Sequence, residues 1–544
     1  MIGPNSEASL AGRPAKFGWQ WIVVCLFLLL AIWALAVGDA RTTRLALNTL
    51  WLMSAVVGLS VPLGCLLALL LARTDVPGRR VVVWLLAGFL FFPLHVQAGA
   101  WQAALGSDGW LTSYFSIQPL VAGWRGAIWV HAAAALPWVV LIVAVGLSSV
   151  ERELEEQALL DGSAWQVVLR VTFRRSAGAI FVAALWGGLV AAREMAVTDF
   201  FQVRTFAEEL YTAYALGDEP VGVGRGMALT GSLLVGVLLL AAGLIPMTRR
   251  GSPFQMLVFN LGSWRWCGAA AVLTVAAILV LLPLISLAQK AGAQVINTPT
   301  GRARTWSAKK CATMVTLNPR IDGRGVRFRH QTEIGWSLAI DSCAATAALL
   351  IGLPVAWFAR RGTWRAWAGL ASVVWLWAVP GPIIGLAIIA LMNRPEIPLL
   401  IRLYDETITP LVLGCLAHSL PLATLILWSS FRSIPDELLE AAELEGAGWW
   451  RRLWLVVLPL RWPALVLAWV VAFVWSLGEL DASELVAPPG VRPLSIHLFG
   501  LLHFGAQDQV AALCLALYIV VQSVGVGAWW LVRKMSAAVR GVRT

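Results

Sequence analysis

Twelve apolar runs of membrane-spanning length constrain this chain of 544 residues more than any other feature of it. An apolar segment of about 20 residues crosses a bilayer as a helix, because a helix satisfies its own backbone hydrogen bonds where no water can. The first run, Trp21 to Gly38, follows Arg13 and Lys16 and holds 18 uncharged residues, more than the roughly 7–15 of a cleavable signal core. The others centre near Gly58, Gly88, Val139, Leu185, Gly236, Ala276, Ala347, Trp377, Leu420, Val470 and Leu517. Only 13% of residues are charged, about half the share in a soluble domain, which excludes an ordinary cytosolic enzyme. The expected fold class is an all-α polytopic membrane protein with about 12 transmembrane helices.

The net charge of +11 is spread in short clusters between apolar runs rather than gathered in a patch, so the expected partner is a lipid membrane and not nucleic acid. Clusters at Arg73, Arg79 and Arg80, at Arg249, Arg250 and Arg265, at Arg360, Arg361 and Arg365, and at Arg533, Lys534, Arg540 and Arg543 place those loops and both termini in the cytoplasm by the positive-inside rule. Residues 289–334 carry nine Lys and Arg, yet helix parity places them outside. The seven cysteines are scattered without a C-x-x-C pair, which predicts neither a disulfide framework nor a metal site.

The sequence repeats itself. Glu156-Gln157-Ala158-Leu159-Leu160-Asp161-Gly162 recurs as Glu440-Ala441-Ala442-Glu443-Leu444-Glu445-Gly446, with the glycines 284 positions apart. Farther on, Glu194 and Asp199 match Glu479 and Glu484 at an offset of 285, and Arg204, Leu210 and Gly217 match Arg492, Leu498 and Gly505 at 288. Colinear matches define two homologous six-helix halves, residues 1–265 and 266–544.

Each repeated polar segment reads as a short capped helix. In the loop 433–462, Ser433 is placed as N-cap with Pro435 early in the first turn, and Asp436 and Glu437 favour the positive helix end. Gly446 is suited to the left-handed conformation that ends a helix. The loop 148–176 begins similarly with Ser148 and Glu151 and reaches Gly162. Small alanines flanked by carboxylates suit a helix laid into a partner's groove; the alternative is a solvated connecting helix.

Glu440-Ala441-Ala442, three residues, Gly446, nine residues and Val456-Val457-Leu458-Pro459 resemble the EAA loop of permeases in binding-protein-dependent ABC importers, E-A-A-x3-G-x9-I-x-L-P, departing only by Val for Ile. The first copy departs further: Gln157 replaces an Ala, and Thr172, Arg174 and Arg175 stand where Ile, Leu and Pro are expected, so its docking is expected to be looser or specialised. The fusion of two permease halves, and the stretch from Gly478-Glu479 to Pro488-Pro489-Gly490, are similar to the ferric iron and thiamine permease group. The resemblance implies a permease in the bacterial inner (plasma) membrane, with an ABC ATPase dimer on the cytoplasmic side and an extracytoplasmic solute-binding protein as partners. It makes Glu156, Ala158, Asp161, Gly162, Glu440, Ala441, Ala442, Glu445 and Gly446 the ATPase-coupling residues and ferric iron the leading solute. No cofactor is expected on this chain, and ATP is used by the partner ATPase.

None of the five lysines belongs to a P-loop, and no catalytic or metal-ligating set is found, so the chain reads as a permease and not an enzyme. His95, His131 and His418 stand alone in apolar runs and read as packing or hydrogen-bonding groups. Ionisable groups inside the membrane cost at least about 2.5 kcal/mol each on insertion scales, so matched ones invite a functional reading. Glu194 and Asp199 end the fifth helix and Glu479, Asp481 and Glu484 the eleventh, as a translocation pathway whose carboxylates suit a cation; the alternative is local pairing. Pro380-Gly381-Pro382 must break the ninth helix. The 30 tryptophans are assigned to membrane interfaces, with no ligand role. A secondary active transporter with 12 helices and internal repeats is the alternative function, and it gives the duplicated cytoplasmic helix nothing to dock against.

Overall fold

The computed structural model describes residues 40–107, 109–215, 256–298, 301–316, 320–322, 325–327, 330–360, 364–504 and 507–541. Among them, seven helices are long and apolar enough to cross a membrane, and three pairs of helices bent by more than 40° raise the number to ten where each pair counts as one broken span. These ten coincide with ten of the twelve apolar runs. The run Trp21–Gly38, the run around Gly236, and Arg249, Arg250, Gly217 and Gly505 lie outside the described residues, so the count of twelve rests on sequence there.

The first half runs α1 (Ala40–Arg73), α2 (Arg79–Phe89), α3 (Leu94–Leu105), α4 (Trp110–Phe115), α5 (Gly123–Ser148), α6 (Arg152–Asp161), α7 (Ala164–Arg175), α8 (Ala177–Arg193), α9 (Ala196–Phe200) and α10 (Phe206–Ala215). Next come α11 (Gly262–Gly292), the hairpin β1 (Ala293–Thr298) and β2 (Gly301–Trp306), α12 (Ala308–Val315), and the hairpin β3 (Arg320–Asp322) and β4 (Gly325–Arg327). The second half then follows as α13 (Gln331–Ala359), α14 (Trp364–Ala378), α15 (Gly381–Met392), α16 (Pro398–Asp405), α17 (Thr409–Arg432), α18 (Asp436–Leu444), α19 (Trp449–Leu477), α20 (Ser483–Val486), α21 (Leu494–His503) and α22 (Gln507–Gly541). From α1 and α13 onward, α1–α10 correspond in order to α13–α21, with α7 and α8 together matching the single helix α19. Among the described residues the strands form two antiparallel hairpins, both within the 289–334 loop.

α1, α5 and α8 form the core of the first half, and α13, α17 and α19 that of the second. α13 has 29 residues and so spans about 43 Å. Its last turn adjoins Arg360, which donates to Asp436 at the start of α18, so its first turn and the 289–334 loop lie on the face opposite the EAA-like helices. That is the placement helix parity gives. α11 crosses to the other half, packing against α2, α3 and α22.

The break at Pro380 is where the sequence places it, between helices bent by 108°. An equivalent break, bent by 112°, stands at Pro93 in the first half. Both prolines are N-caps with matching angles, φ −56° and ψ 141° at Pro93 and φ −55° and ψ 139° at Pro380. Lacking an N–H, each terminates one helix and opens the next at no hydrogen-bond cost. A Cβ on Gly381 would lie 2.2 Å from Asp481 Cβ, so glycine is required where this break meets the acidic loop after α19.

Candidate functional site

The two EAA-like helices, α6 and α18, emerge on one face. Their caps differ from the sequence expectation. The hydroxyls of Ser148 and Ser433 donate backwards to Val145 O and Ser430 O, 2.7 and 2.8 Å away, and so finish α5 and α17. The N-caps are Glu151 and Pro435, neither with a side-chain cap bond. Gly446 is left-handed as expected, at φ +80°, and Gly446 N and Ala447 N donate to Glu443 O and Ala442 O at 2.9 Å in a Schellman turn. Gly162 is not left-handed: it is extended, at φ −154° and ψ 166°. Its chain turns directly into N-cap Ser163, whereas the second copy inserts one residue before N-cap Gly448. Beyond the turn the offset is therefore 285, and the π-turns at Val168–Thr172 and Leu453–Val457 coincide. In space Thr172 takes the place of Val457, not of Val456.

That register makes sense of the first copy's unusual residues. Glu155, wholly buried, accepts from Arg73 and from Thr172 Oγ1, the latter at 2.7 Å, and Arg73 also donates to Leu147 O. The corresponding positions of the second copy are Leu439 and Val457, both buried and apolar, and the arginine corresponding to Arg73 is Arg360, which reaches Phe431 O, Ile434 O and Asp436 instead. A polar seat in one half replaces an apolar seat in the other, with acid, hydroxyl and guanidinium changing together.

The outward faces are alike. Glu156, Asp161, Glu440, Ala441, Glu445 and Gly446 are exposed, while Ala158, Gly162 and Ala442 are half-buried. Leu160 and Leu444, at matching positions, are 86% and 89% exposed, and Trp165 with Leu169 and Trp450 with Trp454 repeat an exposed apolar pair on the next turn. Isolated exposed leucines are ordinary, but here one exposed apolar patch stands twice beside a carboxylate-rich helix. The sequence reading, which took every tryptophan for a membrane anchor, did not find it.

A second cluster lies about 25 Å along α8 from that face, where the halves meet. A cavity of about 90 Å³ is lined by residues of both, including Phe91, His95, Gln97, Trp138, Arg193, Glu194, Glu479 and Asp481. Glu194 accepts from Val197 N at 3.0 Å and lies 3.2 Å from His131 Nε2. Glu479 repeats the device, accepting from Ala482 N at 2.9 Å and lying 2.5 Å from His418 Nδ1. The remaining ring nitrogens face Ala127 O and Val379 O, at 2.8 and 3.3 Å. Each imidazole thus stands between a carboxylate and a backbone carbonyl. His131 and His418, alone in the sequence, are one duplicated pair.

Two of the charged positions beside the cavity break the symmetry. Arg193 corresponds to Gly478 and Asp481 to Ala196, so one half adds a cation and the other an anion. Arg193 Nη1 donates to Trp377 O at 2.8 Å, and its guanidinium lies over the Trp377 and Trp475 rings at 4.6 and 5.7 Å. Trp377 stacks on Trp186 with ring centres 3.9 Å apart, closing the seam beside the cavity. Of the five acids proposed as pathway residues, Glu194, Glu479 and Asp481 come together here. Asp199 and Glu484 do not line the cavity; Asp199 lies 3.1 Å from His503 Nε2 of the other half. His95 and Gln97 line the cavity, and among the described residues the buried atoms His95 Nε2 and Gln97 Oε1 have no hydrogen-bond partner.

Residues 348–535 match the family model described as binding-protein-dependent transport system inner membrane component. The putrescine transport system permease protein PotI of Escherichia coli is 28% identical over 209 residues, 37% of this chain and 73% of the relative. The molybdenum transport system permease protein ModB of Azotobacter vinelandii is 27% identical over 191 residues, 33% of this chain and 83% of the relative. The spermidine/putrescine transport system permease protein PotC of Escherichia coli is 26% identical over 110 residues, 20% of this chain and 42% of the relative. The second half is thus similar to permeases of binding-protein-dependent transport systems that carry different solutes, and these relatives are transport proteins rather than enzymes.

Proposed function

We propose that the chain is the transmembrane permease of an ATP-driven importer in a bacterial inner membrane, with α6 and α18 as coupling helices for a separate ATPase dimer and a solute-binding protein on the opposite face. The observation that carries this reading is the duplicated docking patch: two carboxylate-rich helices, each with a matched exposed leucine, on one face of a two-fold bundle. ATPase closure would move both helices and so tilt the halves about the seam that holds the cavity, giving alternating access. The test is co-purification with the partner ATPase and ATP-dependent uptake in liposomes. Leu160→Asp or Leu444→Asp should abolish capture of the ATPase while leaving stability within about 0.5 kcal/mol, since both side chains stand in solvent. Full uptake driven by an ion gradient, with no ATPase present, would overturn the reading in favour of a secondary transporter.

For the solute we propose a cation. The cavity is lined by three carboxyl groups, Glu194, Glu479 and Asp481, against one guanidinium, Arg193. Ferric iron, as an oxygen-seeking cation, and the polyamines in the names of two relatives both satisfy that chemistry. Glu194→Gln and Glu479→Gln should lower uptake per inserted molecule with ATPase docking intact. Competition between ferric iron and putrescine separates the two, and unchanged specific uptake in both variants would remove these residues from the pathway.

A further inference from the structure

On the face opposite the EAA-like helices, three ligand-type side chains from distant parts of the second half converge. His330 immediately precedes α13, Glu333 lies in its first turn, and His497 sits in the first turn of α21, 167 residues from His330. One ligand atom from each lies within 4.8 Å of the others. His497 Nδ1 is 4.0 Å from Glu333 Oε1, and the two imidazole rings have centroids 4.7 Å apart. None of the three lines the cavity between the halves.

We propose that His330, Glu333 and His497 form a divalent transition-metal site that pins α21 to the outer end of α13. Two imidazoles and one carboxylate are the donor set that zinc and its first-row neighbours take, and three protein ligands leave a position for water. The arrangement suits a cation electrostatically, because Glu333 supplies the negative charge and also offsets the positive end of α13. Around zinc, with bonds of about 2.0–2.1 Å, tetrahedral ligand atoms stand roughly 3.3 Å apart, so binding needs a contraction of about 1.5 Å. Half-buried side chains on two helix ends make that by rotation about their χ angles. The backbone is prepared for it in two ways. His330 is held at φ +62°, a left-handed position that non-glycine residues seldom occupy. One turn farther along α13, Ser337 Oγ accepts from Leu494 N at 2.8 Å and fixes the start of α21 against it. Sequence spacing conceals the site, since only the packing of α21 on α13 brings His497 to the other two.

The experiment uses the full chain, purified without a histidine tag, stripped with chelator, and titrated with zinc. The expected result is one tightly bound ion per chain, protection of His330 and His497 from an imidazole-modifying reagent as read by mass spectrometry, and slower amide exchange across 494–503. The cobalt-loaded chain should show the visible absorption of a low-coordinate ion. The variant H330A/H497A should bind none at the same concentration, whereas H503N, on the same face, should still bind one. No binding by the native chain, or an ion retained by H330A/H497A, would overturn the proposal. Should that variant misfold, the protection pattern of the native chain decides alone: zinc that leaves both imidazoles reactive refutes the site.

Discussion

α6 and α18 expose nearly the same face but are seated differently beneath it. In the first half, Arg73, Glu155 and Thr172 form a buried polar network under the helix; in the second, Leu439 and Val457 fill the same places and the arginine turns outward to Asp436. A repeat can therefore conserve its contact surface and change its support, provided the supporting residues change as a set. The two seats also differ in how they fail, since an apolar contact loses area by degrees while a buried ion pair that loses one member leaves a charge in the protein interior.

The largest expected effect tests that difference. Glu155→Leu should destabilise the first half by about 3–5 kcal/mol, the cost of stranding a buried Arg73. Adding Arg73→Leu and Thr172→Val should recover most of it, because a buried pair replaced by apolar groups of like size is often neutral or better. Thermal unfolding in detergent, with amide exchange across 152–161, reads both. Failure of the triple variant to recover would show that the polar seat does more than support α6.

A smaller effect separates the two turns. Gly446→Ala forces a side chain into a left-handed position and should cost roughly 1–2 kcal/mol, although its Cβ would meet nothing within 4 Å. Gly162→Ala should stay within about 0.5 kcal/mol, since an extended φ of −154° is open to alanine and the Cβ would meet the movable end of Gln166 at 3.0 Å. Equal losses, measured as ATPase capture and melting temperature, would erase the distinction between the turns.

The smallest expected effect lies at the seam between the halves on the opposite face. The hydrogen bond to Asp199 raises the His503 imidazole above its ordinary range near 6.5. A raised folded value means that the contact stabilises the seam fully below that range and is lost as pH rises through the raised value. Both side chains are partly exposed, so the change should be slight, visible as faster amide exchange in 196–215 at alkaline pH and absent in His503→Gln. A pH response unchanged by that substitution would assign it elsewhere.

Much of this was legible in the sequence because it is carried by local periodicity and by duplication. Ten of the spans, the break at Pro380 and the left-handed Gly446 follow from residues close to one another in the chain. The repeated exposed patch was half legible: its carboxylates and alanines stand in the repeated motif, but Leu160 and Leu444 look like any helix leucine until packing leaves them in solvent. Ser433 and Ser148 misled, because a serine before a proline or an acid fits an N-cap pattern as well as it fits the last turn of the helix before it. Thr172 looked like a defect in the motif, since its partners Glu155 and Arg73 lie 17 and 99 positions away.

The sequence by itself determined the class of fold, the two-fold repeat and the face that carries the repeated helices, because hydrophobic length and internal homology are properties of the chain taken a segment at a time. Only the tertiary structure decided which polar groups meet. His131 with Glu194, His418 with Glu479, Arg193 over Trp377, and His330 and Glu333 with His497 are pairings across 61 to 184 residues, and none has a spacing that a helix or turn would impose. In a membrane interior each such group must find a partner, yet the chain alone does not say which one, because that choice is made by how helices of nearly uniform apolar surface pack against each other.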